Sequence, residues 1–270
     1  MKLGLILDSE YIPADLADVF EYSKKTKDFS VDLVIVYSST NRGNDNYFER
    51  IIRNLMTIGF KNSFARFVFN LIQSIESRFF YKGEHKTETQ LLHIRDAGIP
   101  ILRVKPIYSE SKLVLRIQNY DLKIIKNHKL DLLIRGGRHI LRDGILEVCP
   151  YGVLGIHHGD NEKYRGLPSG FWEVYQREPF SGYIFQRLKN ELDNGVVFFK
   201  GHVLTKRTSF ENTLYLHQNA RKDFVEFIAQ VSKSGSFPEP IENEGELPEL
   251  YRAPGLGVLI RYLWRSWCRR

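Results

Sequence analysis

Cysteine is scarce in this chain, and long apolar runs are missing from it. Only Cys149 and Cys268 occur among 270 residues, which excludes a disulfide framework or a cysteine-ligated metal site and fits a reducing compartment. No window approaches the roughly 20 apolar residues of a membrane span. The first segment, MKLGLILDSE, is broken by Asp8 and is too short for a signal sequence. We therefore expect a cytoplasmic protein that begins with a strand.

Acidic residues are outnumbered by basic ones. The formal net charge is +7, and 43% of the residues are hydrophobic, enough for a sizeable core. The charge fits either a mildly basic soluble protein or a protein with an anionic partner. Nucleic acid, phosphorylated metabolites and acidic lipid surfaces are all partners of that kind.

Short apolar runs alternate with stretches of helical spacing. Buried strands are predicted at residues 3–7, 31–37, 99–104, 130–134 and 153–156. Helices are predicted at residues 15–24 and 88–97, with Gly98 closing the second. This alternation predicts an α/β fold with a mainly parallel sheet and helices on both faces.

Two regions depart from this alternation. Residues 47–81 are rich in Phe, Ile, Leu, Arg and Lys, which predicts a helical elaboration that either covers the sheet or faces a partner or membrane. From Tyr183, two strand patterns, YIFQRL and VVFFKGHVL, precede a long helix at 209–231 capped by Thr208 or Ser209. We expect an α/β domain over residues 1–235, followed by an arm and a basic tail over residues 236–270.

The carboxyl-terminal tail interleaves arginine with apolar and aromatic residues. On a helix, GVLIRYLWRSWCRR is basic and amphipathic. Such a helix can dock on its own domain with its arginines in solvent, or make a peripheral contact with the inner membrane surface. Both alternatives remain open from the sequence.

Polar, titratable residues follow two consecutive predicted strands. Ligands of parallel α/β sheets bind outside the carboxyl ends of the strands. The residues concentrated at the two strand ends are Arg135, Arg138, His139, His157, His158 and Asp160. The eight histidines have no zinc-like spacing, and adjacent residues on a strand point in different directions. We therefore expect a site without a metal ion.

Two blocks of the sequence resemble a known family. DLLIRGGRHILRDGILEVCPYGVLGIHHGDNEKYRG, residues 131–166, and SGYIFQRLKNELDNGVVFFKG, residues 181–201, resemble the formyltransferases. Members of that family move a formyl group from N10-formyltetrahydrofolate to an amine. The resemblance extends over about residues 131–231, and implies a Rossmann-like sheet of the formyltransferase type.

The resemblance also assigns roles to individual residues. It makes His157 the donor to the formyl oxygen and Asp193 the carboxylate that supports the imidazolium and moves the amine proton. His158 is added as a catalytic candidate. The residues expected around the pterin of the formyl donor are Arg138, His139, Ile140, Leu141, Lys189, Asn190, Glu191 and Leu192.

The chain departs from the family pattern beside the predicted catalytic histidine. Gly155 stands where the family has an asparagine that donates to the developing oxyanion. Losing one such donor typically costs about 10²–10³ in rate. Either another donor replaces it (His158, Arg138 or a water), or the site runs related acyl transfer or hydrolysis, or the protein only binds folate or a sugar nucleotide.

The acceptor is inferred by exclusion within the family. Members that act on initiator tRNA carry a further β-barrel domain. The sequence after residue 231 shows no strand pattern for such a domain, so we do not expect a nucleic acid as the acceptor. Members that act on glycinamide ribonucleotide keep the asparagine. An amino sugar on a nucleotide carrier, as in surface glycan biosynthesis, remains. The residues expected to bind this acceptor are Arg135, Asp160, Lys163 and Arg165.

Overall fold

The computed structural model of the chain describes residues 1–37, 47–80, 92–190, 195–242 and 248–268. The strands are β1 Lys2–Leu7, β2 Ser30–Tyr37, β3 Ile101–Val104, β4 Ile107–Tyr108, β5 Val114–Arg116, β6 Leu132–Arg135, β7 Ile140–Arg142, β8 Val153–His157, β9 Arg165–Gly166, β10 Phe180–Arg187, β11 Val196–Leu204 and β12 Leu250–Tyr251. The α-helices are α1 Ala14–Lys25, α2 Tyr47–Ile75, α3 Asn119–Asn127, α4 Phe171–Gln176, α5 Ser209–Ser234 and α6 Leu256–Leu263. Single 3₁₀ turns cover Ile94–Ala97 and Asp143–Glu147, and π-helical turns cover Glu76–Phe80 and Trp264–Cys268.

A seven-stranded sheet forms the centre of the molecule. Its strand order is β11-β10-β8-β6-β1-β2-β3. The five strands from β8 to β3 are parallel, while β10 and β11 form an antiparallel edge. The predicted mainly parallel α/β sheet is thus confirmed. The carboxyl ends of the five parallel strands meet at one edge, where the sequence places its polar residues.

Helices cover both faces of this sheet, as predicted. On one face, α1 and α5 contribute Phe20, Leu216 and Phe224 to a core that contains the inward side chains of β1 and β2. On the other face, Ile125 of α3 and Ile145 of the 3₁₀ turn pack against neighbouring strands. Apolar residues on alternate positions of buried strands supply both cores.

The helix predicted at residues 88–97 is the main error of the sequence reading. Within its described part only Ile94–Ala97 is helical, as a 3₁₀ turn that ends at Gly98 with a φ of 69°; residues 88–91 lie outside the described part. The backbone of this segment instead pairs with the segment after β1: the Ile12 N–H donates to the Leu92 carbonyl, and the Ile94 N–H to the Glu10 carbonyl. Backbone groups used in this way are not free for an α-helix.

The helix predicted at residues 209–231 is confirmed as α5. Thr208 is its N-cap, because its hydroxyl oxygen accepts a hydrogen bond from the Glu211 N–H. The two strand patterns before it form the antiparallel pair of β10 and β11.

The predicted helical elaboration and the tail pack together on the domain. α2 is kinked at Gly59, where φ is 76°. Below the kink its inward residues share a core with α4 and α6, formed by Ala65, Ile72, Phe171, Leu259 and Tyr262. The buried Glu76 accepts hydrogen bonds from Tyr262 Oη at 2.5 Å and from Trp267 Nε1 at 3.1 Å. One face of the tail therefore docks on its own domain.

The arm also returns to the domain. β12 runs parallel to β9, and Ile241 bridges to Val197 of β11. These contacts cross residue 235, and the domain boundary that the sequence suggests there stays a prediction. No helix in the described ranges combines the length and the apolar character that crossing a bilayer requires.

Candidate functional site

His157 is the last residue of β8, at the carboxyl edge of the parallel sheet. In the antiparallel pairing with β10, His157 lies opposite Ile184, and Gly155 lies opposite Gln186. Directly paired residues share a face of the sheet, and so do residues two apart on one strand. Gln186 and His157 are therefore diagonal neighbours on one face.

Gln186 is the residue that sequence reasoning missed. Its side chain is buried, and its Oε1 has no hydrogen-bond partner among the described residues. Gly195 closes over it, since a Cβ at residue 195 would lie 2.6 Å from this oxygen. Gln186 could have been found from its position opposite Gly155, but that position depends on the register of β10 against β8, which the sequence does not reveal.

The space beside Gly155 is partly filled by Leu188. A Cβ at residue 155 would lie 3.4 Å from Leu188 Cδ2, an ordinary van der Waals contact. The rest of an asparagine side chain would extend into the leucine. Leu188 would therefore contact any side chain placed at residue 155.

An open cavity of about 600 Å³ lies at the amino end of β8. The lining includes Leu146, Cys149, Arg187, Leu188, Lys189 and Asn190. Two of the residues predicted to contact the pterin, Lys189 and Asn190, are thus at this cavity. Glu191, Leu192 and the predicted catalytic Asp193 lie outside the described residues.

The other predicted pterin segment, residues 138–141, ends just before Asp143, which contacts Asn190. Asn190 Oδ1 accepts a hydrogen bond from the Asp143 N–H at 2.9 Å, which joins the two segments. Ile140 and the buried Leu141 belong to β7. The Arg138 N–H donates to Asp8 Oδ2 at 3.3 Å, and its guanidinium is mostly exposed.

His139 lies between two tyrosine rings at the same sheet edge. Its ring centroid is 5.5 Å from that of Tyr37 and 5.4 Å from that of Tyr108. Both tyrosine hydroxyls are buried without a hydrogen-bond partner in the described part of the chain. Burial raises the pKa of Tyr37, and the nearby Asp8 raises it further, so the hydroxyl stays protonated. A side chain at residue 137 would displace the buried Tyr37 ring, because a Cβ there would lie 2.0 Å from the Tyr37 hydroxyl oxygen.

His158 belongs to a separate cluster. It stacks on His217 of α5, with ring centroids 3.6 Å apart and planes inclined by 12°. His217 Nδ1 lies 3.9 Å from Asp15 Oδ1, and its Nε2 lies 3.2 Å from the Ser169 hydroxyl. Burial, together with the neighbouring His217, lowers the pKa of His158 to about 3, which keeps His158 neutral near pH 7. Its buried Nε2 has no hydrogen-bond partner among the described residues.

The same cluster has the residue types of a metal site. Ligand atoms of Asp15, His158 and His217 lie within 4.8 Å of one another. The two rings are nearly parallel, however, so their in-plane lone pairs run side by side instead of converging on one point. Burial raises the pKa of Asp15, but the adjacent imidazoles of His217 and His158 outweigh this, and the net pKa is lowered.

The predicted acceptor-binding residues have separate neighbours. Asp160 shapes its own loop, because Oδ1 accepts from the Glu162 N–H at 3.1 Å. Lys163 pairs with Glu178 at 3.3 Å, and Arg165 donates to the Pro248 carbonyl at 3.2 Å. Arg135 ends β6 beside Ile6 of β1. Their joint role in binding one anion stays a prediction.

No protein-family model matches the chain. Solved structures do resemble it. A glycinamide ribonucleotide transformylase from Symbiobacterium toebii has 14% identity and a TM-score of 0.54, over 87% of this chain and 88% of that one. A sugar N-formyltransferase from Shewanella sp. has 13% identity and a TM-score of 0.53, over 97% and 87%. A formyltetrahydrofolate deformylase from Pseudomonas syringae has 14% identity and a TM-score of 0.51, over 87% and 61%.

The chain has the fold of the formyltransferases. This agrees with the resemblance of the blocks at 131–166 and 181–201. The names of these three similar structures indicate different substrates, and one of the three is a deformylase. At these identities the fold alone is shared, so the acceptor must be argued from the site.

Proposed function

We propose that the protein is an N-formyltransferase that moves a formyl group from N10-formyltetrahydrofolate to the amine of a nucleotide-linked amino sugar or a similar small acceptor. One observation carries this proposal. His157 stands at the carboxyl edge of the sheet, with the carboxamide of Gln186 on the same face, and Leu188 links that face to an open cavity.

The cavity is large enough for the formyl donor and has both apolar and polar walls. Ligand pockets typically have volumes of about 300–1,000 Å³ and mostly apolar walls with a few polar groups. Leu146 and Leu188 supply apolar wall here, and Asn190 supplies a polar group. The lining also contains three cations, Lys126, Arg187 and Lys189, against one acid, Glu147, and this excess of positive charge suits the carboxylates of a folate tail.

His157 donates a hydrogen bond to the formyl oxygen in this proposal. The acceptor amine attacks the formyl carbon, so negative charge develops on the oxygen before the bond to N10 breaks. A donor placed at the oxygen stabilises that charge. The amine loses a proton, and N10 gains one as it leaves. The resemblance assigns proton movement to Asp193.

Gln186 supplies the carboxamide donor that the chain lacks at Gly155. The two residues are paired across β8 and β10, so a side chain from either one reaches the same side of the sheet. A glutamine side chain is one methylene longer than an asparagine side chain, and this extra length compensates for the distance between β10 and β8. Its unpartnered oxygen leaves the amide free to turn its N–H₂ toward the reacting oxygen.

Mass spectrometry with a panel of acceptors tests the proposed function. Incubation with N10-formyltetrahydrofolate and nucleotide-linked amino sugars should add ~28 Da to one acceptor, because a formyl group replaces one amine hydrogen and the net gain is CO. His157→Ala should abolish transfer. His202→Ala, which changes an exposed histidine of β11, is the matched control and should transfer normally.

Other outcomes of the same incubation would refute the proposal. Formate release without a modified acceptor would indicate hydrolysis of the donor. A ligand-induced thermal shift without either product would indicate a protein that only binds. Normal transfer by His157→Ala would remove His157 from the mechanism.

A double substitution tests the role of Gln186. Gln186→Leu should lower kcat by about 10²–10³, the usual effect of losing one oxyanion donor. Adding Gly155→Asn to Gln186→Leu places a carboxamide on the neighbouring strand, and Leu188→Ala makes room for it. This combination should recover part of the lost activity. If Gln186→Leu transfers at the normal rate, the carboxamide has no such role.

A further inference from the structure

An exposed apolar surface covers the outer side of α2, the π-helical turn after it, and α6. We call it the aromatic surface; its members are Phe64, Phe67, Leu71, Phe79, Ile260 and Trp264, which are between 47% and 70% exposed. Soluble proteins expose single apolar side chains everywhere, but a group on adjoining helices indicates an interaction site. Nothing in the candidate site uses it.

The surface is a second apolar face, distinct from the docked one. On α2, Phe64, Phe67 and Leu71 are spaced to form one stripe, away from the buried Ala65 and Ile72. Ile260 of α6 and Trp264, the first residue of the π-helical turn after it, lie one turn apart on the exposed side. The inner faces of both helices meet in one core, so the two outer stripes lie on adjoining helices.

The charges around the aromatic surface are of one sign. Within 61–79 and 252–267 the exposed cations are Lys61, Arg66, Arg78, Arg252 and Arg261. The single acidic residue in these two ranges is Glu76, which is buried and bonded to Tyr262 and Trp267. No exposed carboxylate therefore opposes an anionic partner in these ranges.

We propose that the aromatic surface docks the protein on an anionic phospholipid bilayer. Aromatic rings favour the interfacial region of a membrane, and arginine and lysine are attracted by acidic headgroups. A helix that lies in the interface plane combines a basic polar side with buried apolar side chains. The exposed sides of α2 and α6 together present that combination.

Charge complementarity favours the bilayer over a second copy of this chain. In a two-fold dimer the aromatic surface would face itself, and its cations would be brought close to other cations of the same surface. Like charges placed together across an interface oppose association. An acidic lipid surface instead supplies the opposite charge over the whole area.

Docking also orients the candidate site. α4 shares the core of α2 and α6, and its Phe171 ring lies 5.5 Å from that of Phe69 and 5.1 Å from that of Tyr262. A short connection, residues 167–170, joins this helix to β9, which contains Arg165 and follows the loop of Asp160 and Lys163. The proposal does not depend on the proposed reaction, because binding is measured without turnover.

Vesicle co-sedimentation of the full chain tests the proposal. Vesicles with about one third phosphatidylglycerol should retain the protein, and pure phosphatidylcholine vesicles should retain at least tenfold less, because the surface potential is lost. Phe67→Ser combined with Trp264→Ser should weaken binding to the anionic vesicles at least tenfold. Arg66→Glu combined with Arg261→Glu should weaken it by a similar factor and reduce its salt dependence.

A matched control uses exposed apolar residues elsewhere. Leu113→Ser combined with Tyr120→Ser removes side chains that are 63% and 74% exposed, and should bind like the unchanged protein. Thermal unfolding verifies that all variants fold. Failure of anionic vesicles to retain the unchanged chain would overturn the proposal, and so would equal retention of the Phe67 and Trp264 variant. Loss of a dimer in that variant, without vesicle binding, would assign the surface to self-association.

Discussion

Glu173 gives the clearest quantitative test of the structure, through the pH dependence of stability. This residue of α4 is 2% exposed, and its Oε1 has no hydrogen-bond partner among the described residues. Burial raises the pKa of its carboxyl group from 4.5 to about 7, and the charges of Asp160 and Glu178 contribute to the increase. The folded protein therefore holds this proton over a pH range in which the unfolded chain has lost it.

The sign and size of the effect follow from this difference. Between pH 4.5 and about 7 the native state binds more protons at Glu173 than the unfolded state does, so stability falls as the pH rises. At about 1.36 kcal/mol for each pKa unit, the total loss is about 3 kcal/mol. It is absent below pH 4.5 and complete above pH 7.

Glu173→Gln isolates this contribution, because glutamine has nearly the same shape and carries no proton to lose. Urea unfolding from pH 5 to pH 8 should show similar stability for both proteins at pH 5. At pH 8 the variant should be more stable by about 3 kcal/mol relative to that baseline. Glu226→Gln, at an exposed position of α5, controls for the loss of one negative charge. Parallel pH profiles for the unchanged protein and Glu173→Gln would refute the reasoning.

Three further substitutions test local features. Thr208→Ala removes the N-cap of α5 and should lower the free energy of unfolding by about 1 kcal/mol, measured by urea titration. Burial raises the pKa of Cys149 from 9.0 to about 12; in a Cys268→Ser background, its alkylation at pH 8 should be about 10³-fold slower in the native protein than in urea, because the thiolate is the nucleophile. Gly155→Asn alone should fold but transfer more slowly, because its carboxamide crowds Leu188, and faster transfer in a steady-state assay would contradict that geometry.

The sheet and the end of β8 could be predicted from the sequence, because both depend on local pattern. Buried parallel strands are continuous apolar runs, and the polar residues that follow them fall at one edge whatever the rest of the chain does. His157 was therefore predictable as an edge residue. The error at residues 88–97 has the opposite origin: a helical pattern was overridden by backbone pairing with residues 10–12, more than 75 positions away.

Contacts between segments that are distant in the chain could not be predicted from the sequence. His157 and His158 are adjacent in the chain, yet one faces the neighbourhood of Gln186 and the other stacks on His217, because successive residues of a strand point to opposite sides. The partner of Gly155 depends on the register of β10 against β8. A shift of one residue would have placed Phe185 there and turned Gln186 to the other face.

The tail shows that two uses suggested by its sequence, docking on the domain and contact with a membrane, do not exclude each other. Docking on the domain and contact with a membrane compete only if a helix has a single apolar face. At 100° per residue, the residues of α6 and of the first position after it instead divide into two sets. Leu259 and Tyr262 are buried against α2 and α4, while Ile260 and Trp264 remain exposed on the outside. The docked face holds the helix in place, and that fixed position is what allows the outer face to act together with α2 as one surface.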